Sequence, residues 1–334
     1  MRLYLLTFIL FILSSCGGKK RLDVSHIKVE LPVERYDKLI YNIDTNNISA
    51  GIKNIYAQYP SFTNAFITQV LQLPVPYNDT SSLLQNALKN FITHTQQLKD
   101  SVWQKFDNNS NWVKELEQAL RYVKFYFPEY KVQKLLCFVG DLTGREIVTQ
   151  DGIGVGLDYY MGENFSYYQI AEIQTQIPRY LSRRFSIEYL PTNFMQAIID
   201  DLYPDTSLGR SLIEQIVEKG KRFFVLDKFL PDTHDTLKMQ YTKNQLEWCY
   251  KNEKNIWRFF LDGDLLYSTD PSINNFISEG PSTQGMPQES PGNIGLFVGW
   301  QIVKSYIKKY PDIAIEQLMK TEAKVIFNES RYKP

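Results

Sequence analysis

Histidine and cysteine are scarce in this chain, three of each among 334 residues. His26, His94 and His234 lie far apart in sequence, so no two could sit one helical turn apart with a glutamate between them. That removes the H-E-x-x-H pattern and makes metal-assisted hydrolysis a poor expectation. No G-x-S-x-G elbow occurs, and no glycine-rich loop ends in Lys-Ser or Lys-Thr, so neither a serine hydrolase nor a phosphate loop is indicated. An excess of charge is missing too. Lys plus Arg and Asp plus Glu are both 37, which gives no electrostatic case for a nucleic-acid partner. Beyond the first residues no stretch is long and apolar enough to span a membrane. The expectation is a chain with no metal, no cofactor and no recognisable catalytic motif.

What is present begins at the start. Met1-Arg2 precedes the apolar run Leu3–Leu13, and Ser14-Ser15-Cys16 closes it. The run is too short for the roughly 30 Å hydrocarbon core, which needs about 20 residues, so it reads as a secretory signal over residues 1–15. Leu13-Ser14-Ser15-Cys16 resembles a bacterial lipobox, in which the cysteine receives a diacylglyceryl group and becomes the first residue after cleavage. Lipidation at Cys16, with acyl chains such as palmitate, would make membrane lipid the first partner. Residues 16–25 would form the tether, with Lys19-Lys20-Arg21 resting on anionic head groups at about 1 kcal/mol each. The alternative is an ordinary signal cut near Ser15. Of the remaining cysteines, Cys137 lies in an apolar run and Cys249 in a helical one. Oxidising surroundings would let them pair, although lone cysteines in apolar segments are more often buried thiols.

Residues 26–334 read as one globular domain, α+β and mainly α, with a small and mostly antiparallel sheet. Ile27–Leu31 alternates like a strand. Helical spacing follows from Ile48, broken at Tyr59-Pro60 because proline disfavours helix in the preceding residue. Further helices are expected after Ser81-Ser82 and over Trp112–Phe127. Val132–Val139, Glu146–Thr149 and Gly152–Asp158 read as three strands. Helical periodicity returns from Ser166 and runs, interrupted by prolines and by the loop Gly280–Gly292, to the end. Aromatics make up 14% of the chain, which a large core would absorb.

Several clusters bear weighing. Asp262-Gly263-Asp264 with Asp270 lacks the full EF-hand ligand set and reads as a turn. Asp200 and Asp201 are adjacent and so cannot share a helix face. Gly152, Gly154 and Gly156 lack the spacing of a dinucleotide loop and suggest close backbone approach within a strand. Gly295 and Gly299 share one face of a helix, where another element would pack tightly. Glu253 and Trp257 share a face of the helical stretch Gln245–Trp257 and could border a pocket.

Taken together, the lipobox, Val33-Glu34-Arg35-Tyr36-Asp37, Ile153–Gly162, Gln176–Tyr180, Gln245–Cys249, Asn252-Glu253 with Ile256-Trp257, Leu265–Asp270, Pro291–Tyr306 and the tail Ser330–Pro334 resemble the GldB gliding motility lipoproteins of the Bacteroidetes. The resemblance implies a membrane-anchored accessory component of the gliding machinery, non-enzymatic, acting by protein–protein contacts with other gliding and secretion proteins of the envelope. In that phylum, surface-exported lipoproteins usually carry acidic residues after the cysteine, so the basic spacer implies a location facing the periplasm. A distant similarity of residues 291–306 to zinc proteases implies a zincin-like scaffold lacking the metal ligands. The competing expectation is an envelope hydrolase using carboxylates, with Glu253 or Asp158 as participants.

Overall fold

The computed structural model describes residues 22–334 except 75, 76, 79, 108–110 and 133. The signal segment, Cys16 and Lys19-Lys20-Arg21 therefore lie outside the described residues. The chain opens with β1 (Val33–Arg35), α1 (Tyr36–Tyr41), α2 (Ile48–Gln58), α3 (Pro60–Ala65), α4 (Ser82–His94), α5 (Gln96–Phe106) and α6 (Asn111–Tyr126). Next come β2 (Leu135–Phe138), β3 (Glu146–Thr149) and β4 (Gly152–Gly156). The rest is helical: α7 (Ala171–Gln176), α8 (Arg179–Ser182), α9 (Leu190–Leu202), α10 (Leu212–Phe229), α11 (Asp235–Met239), α12 (Lys243–Lys251) and α13 (Glu253–Asp262). It finishes with α14 (Asn274–Ile277), α15 (Ile294–Lys309), α16 (Ile315–Lys320) and α17 (Ala323–Ser330). The mainly helical α+β class is as expected.

The sheet corrects two expectations. Its order is β1-β2-β4-β3, with β1–β2 and β2–β4 parallel and β3–β4 alone antiparallel, so it is not mostly antiparallel. The reason lies in the connections. Helices α1–α6 form the long crossover that parallel pairing of β1 and β2 requires. The loop after β2 carries the chain past the position that β4 later fills, and a tight β3–β4 hairpin returns β4 to the centre. The second correction concerns Ile27–Leu31, which forms no strand. Leu31 instead donates its N–H to Glu117 on α6, and β1 starts beyond Pro32.

Both faces of the sheet are covered, which is why Leu135–Phe138 is apolar throughout and fully buried. Leu135 and Cys137 face a core built with α5, α6, α9, α10, α13 and α15, while Leu136 and Phe138 face one built from α1–α4. Gly154 on β4 explains the close approach on the second face. A Cβ there would stand 2.2 Å from Phe62 Cε2. The Val33–Asp37 motif joins sheet to helices. Arg35 holds the buried Asp37 with two hydrogen bonds (2.8 and 2.6 Å), Trp103 Nε1 donates to the same carboxylate at 2.8 Å, and Tyr36 donates to Thr63. Across the larger core, α10 and α15 meet at glycines: a Cβ on Gly299 would stand 2.0 Å from the carbonyl oxygen of Ile216. This is the tight packing expected of Gly295 and Gly299.

Candidate functional site

A cavity of about 530 Å³ opens where the start of β3, one face of α9, the α7–α8 corner, the end of α11 and the segment leading into α15 converge. Its walls mix aliphatic side chains such as Ile177, Leu181 and Met239 with an unusually continuous polar network. Arg145 Nε donates to Glu146 at 2.7 Å. Tyr160 donates its hydroxyl hydrogen to the other oxygen of Glu146, and Asn193 Nδ2 donates to Tyr160 at 3.0 Å. Gln240 Nε2 donates to Asn193 at 3.0 Å, Arg184 donates to Gln240 at 2.6 Å, and Arg184 also reaches Glu279 at 2.8 Å. Seven side chains from distant segments thus form one chain of bonds.

The local reasons are legible. Asn193 is nearly fully buried on α9 among Phe194, Met195 and Ile198, so its amide must find partners within the protein. Gln240 ends α11 with φ +60° and Asn293 precedes α15 with φ +55°, two left-handed backbones at the cavity wall. Such outliers concentrate at functional positions. The Asn293 Oδ1 atom is buried without a hydrogen-bond partner. Burial pushes the Glu146 carboxyl up, with Arg145 opposing. Burial works against the Arg145 charge as well, but Glu146 together with Tyr160 and Tyr159 outweighs it and raises the Arg145 pKa. Tyr160 is pushed far above the usual phenol range, first by burial and then by Glu146. The lining, within the described residues, offers amides, ion pairs and phenols, and includes no serine, threonine, cysteine or histidine. Such a surface offers both donors and acceptors of hydrogen bonds.

Of the acidic residues and cysteines singled out in the sequence, Asp200 lines this cavity and the others lie elsewhere. Asp158 is fully buried at the end of β4, accepting from the N–H groups of Gly140 (2.9 Å) and Leu142 (2.6 Å), and burial raises its pKa to about 6. Glu253 accepts from Tyr332 at 2.8 Å, and Trp257 packs edge-on against the Tyr332 ring, so this pair fastens the C-terminal tail. The helix expected across Gln245–Trp257 is two, α12 and α13, parted at Asn252. Asp264 has φ +49° in a turn after Gly263, and Asp270 caps a short 3-10 helix through Ser272. Asp200 pairs with Arg222, whereas Asp201 accepts from Tyr130. Cys137 and Cys249 are free and buried. No group of three or more metal-ligating side chains is found among the described residues, and no helix there is long and apolar enough to cross a membrane.

The cavity itself escaped the sequence reading. Its one signal was Asn193, an amide set among the apolar residues of α9; the partners are up to 134 positions apart, from Arg145 to Glu279, and no spacing pattern unites them.

No curated protein and no solved structure matches the chain. A family model described as gliding motility protein GldB matches residues 17–334, almost the full length. The chain belongs to the gliding motility protein GldB family.

Proposed function

We propose that this protein is a non-enzymatic accessory component of the gliding machinery, anchored to a membrane through lipidated Cys16 and facing the periplasm. It works by contact with other gliding and secretion proteins of the envelope. The observation that carries this reading is that the charged groups of the cavity are already paired: Arg145 with Glu146, Arg184 with Glu279, Asp200 with Arg222, and Lys238 with Asp227 and Asp235. Amides remain at the wall, as peptide-like donors and acceptors. An extended segment of a partner polypeptide is the occupant whose hydrogen-bonding groups fit such a lining.

The position of the candidate carboxylates supports the same reading. Asp158 organises a backbone turn and Glu253 ties down the tail, and neither lines the cavity. The zincin-like kinship enters as a scaffold without metal. The cavity-facing residues of α9 are Asn193, Gln196, Ala197 and Asp200, and none of them carries the imidazole of a zinc-binding helix.

An affinity pull-down from detergent-solubilised envelope tests the proposal, with wild type, Cys16→Ala and Gln196→Leu as baits. Wild type should enrich proteins of the gliding machinery, Gln196→Leu should enrich them less, and Cys16→Ala should retain capture after solubilisation. Failure of both wild type and Cys16→Ala to enrich any envelope protein would overturn it.

A further inference from the structure

The tether does not leave the domain at an arbitrary place. Leu22, the first described residue, lies against α6: its carbonyl oxygen accepts from the Tyr122 hydroxyl at 3.5 Å. Lys124 Nζ donates to the carbonyl of Lys28 at 3.3 Å, and Leu31 N–H donates to Glu117 at 3.2 Å. Val24 and Leu31 are buried, so the segment is fastened along the helix by apolar contacts as well as hydrogen bonds. Six residue steps separate Leu22 from Cys16, a contour of at most about 20 Å. Lipid chains on Cys16 therefore hold this end of α6 within about two Debye lengths of the head groups.

What that end presents suits such a neighbour. Phe125 is 41% exposed, an uncommon state for phenylalanine, and stacks edge-on with Tyr126 at 5.1 Å. Both follow Tyr122 by one helical turn, which places them beside the tether's point of departure. Exposed Lys28, Lys124 and Lys131 gather at the same end of α6, where they line a shallow groove with Leu120 and Val123. Together with Lys19, Lys20 and Arg21 of the tether they outnumber the acids Asp23, Glu30 and Glu129 by six to three. Aromatic rings and lysines at one end of a helix are the composition of a membrane–water boundary.

We propose that the C-terminal end of α6, with the segment Leu22–Leu31 fastened to it, is a docking face for the anionic bilayer that holds Cys16. Phe125 enters the head-group layer while Lys28, Lys124 and Lys131 meet acidic lipid. The domain then stands on the membrane in one orientation. This rests on lipidation of Cys16.

The test uses the full chain, lipidated at Cys16 and reconstituted in phosphatidylethanolamine vesicles with and without phosphatidylglycerol. Because Cys137 and Cys249 are buried, an environment-sensitive fluorophore can be placed at Phe125→Cys, with Leu208→Cys and Tyr267→Cys (86% and 64% exposed) as remote controls. Quenching by lipid-borne nitroxide should be severalfold stronger at position 125 than at the controls. It should weaken without phosphatidylglycerol, and by about fivefold in docked population for each of Lys124→Gln and Lys131→Gln, on the basis of about 1 kcal/mol per cation. Equal quenching at all three positions would overturn the docking face while leaving the anchor intact. A wild-type chain that fails to float with the vesicles would instead remove the lipoprotein reading, and this one with it.

Discussion

Asp158 offers the sharpest quantitative test of the sheet's architecture. Its carboxylate gathers the N–H groups of Gly140 and Leu142, which face the same point because Asp141 and Leu142 both adopt left-handed backbones (φ +54° and +57°). Two successive non-glycine residues in that region cost about 1–2 kcal/mol each, so the turn needs an acceptor to persist. Asp158→Ala removes it and leaves two N–H groups without a partner, at about 1–3 kcal/mol apiece. The expected loss is about 3–5 kcal/mol near pH 4, read as a fall in the urea midpoint at constant slope. The loss should also depend on pH. Burial raises the native carboxyl from 3.8 to about 6, so the folded state keeps its proton where the unfolded chain has released it. The stability contributed by Asp158 is then greatest below the unfolded value and declines as pH rises through the folded one. Between about pH 4 and pH 7 the deficit of Asp158→Ala should shrink by about 2 kcal/mol, because each tenfold difference in proton affinity between the folded and unfolded chains is worth about 1.4 kcal/mol. Asp158→Asn should follow the same trend from a smaller starting deficit, since its amide oxygen still serves one of the two donors. A deficit below about 1 kcal/mol at pH 4, or one that does not change with pH, would refute the assignment of the turn to this carboxylate.

Three further outcomes follow from packing. Gly299→Ala should lower stability by about 3 kcal/mol or more in a thermal or urea melt, because its Cβ meets backbone of α10 at 2.0 Å and only separation of the helices relieves it. Tyr332→Phe should cost about 1 kcal/mol and show no additivity with Glu253→Ala in a double-mutant cycle, since both remove the same hydrogen bond. Cys137 and Cys249 are buried and burial pushes both thiols well up, so a thiol reagent should label neither in the native state and both in denaturant.

The helical part of the fold was legible because its signals are local. Tyr59-Pro60 parts α2 from α3, and Ser81 caps α4 by accepting from the N–H of Leu84, as a serine there should. Strand direction was not local. Leu135–Phe138 shows an apolar residue at every position, which marks burial on both faces, yet the partner that makes its pairing parallel is β1, about a hundred residues earlier. Only the helical crossover between them decides the hand and direction of that pairing, and its length does not announce which strands it joins. The cavity was hidden for a related reason. Asn193, Gln240 and Arg184 are ordinary residues in separate helical stretches, and their meaning arises when burial leaves each with no acceptor or donor but the others.

The family motifs build a frame whose edge reaches the cavity, where Tyr159, Ile177, Asn293 and Leu296 line the wall. Arg35, Asp37 and Trp103 bind β1 and α1 to α5; Asp158 with Tyr159 and Tyr168 fixes the turn after β2; Tyr332 and Glu253 close the tail. Those motifs maintain a frame. Glu146 meets the frame through Tyr160, and the carbonyl of Asn293 accepts from the Tyr241 hydroxyl. Because Tyr160 bonds both Glu146 and Asn193, it couples the sheet to α9 across the cavity wall. Replacing Tyr160 with Phe should leave the frame folded, at a loss of about 1–3 kcal/mol for the orphaned Glu146 and Asn193 groups. Partner capture should fall with it, as the amide of Asn193 loses its orientation. Retention of full capture by Tyr160→Phe, together with loss of capture on changing an exposed face remote from the cavity, would move the contact surface away from this site.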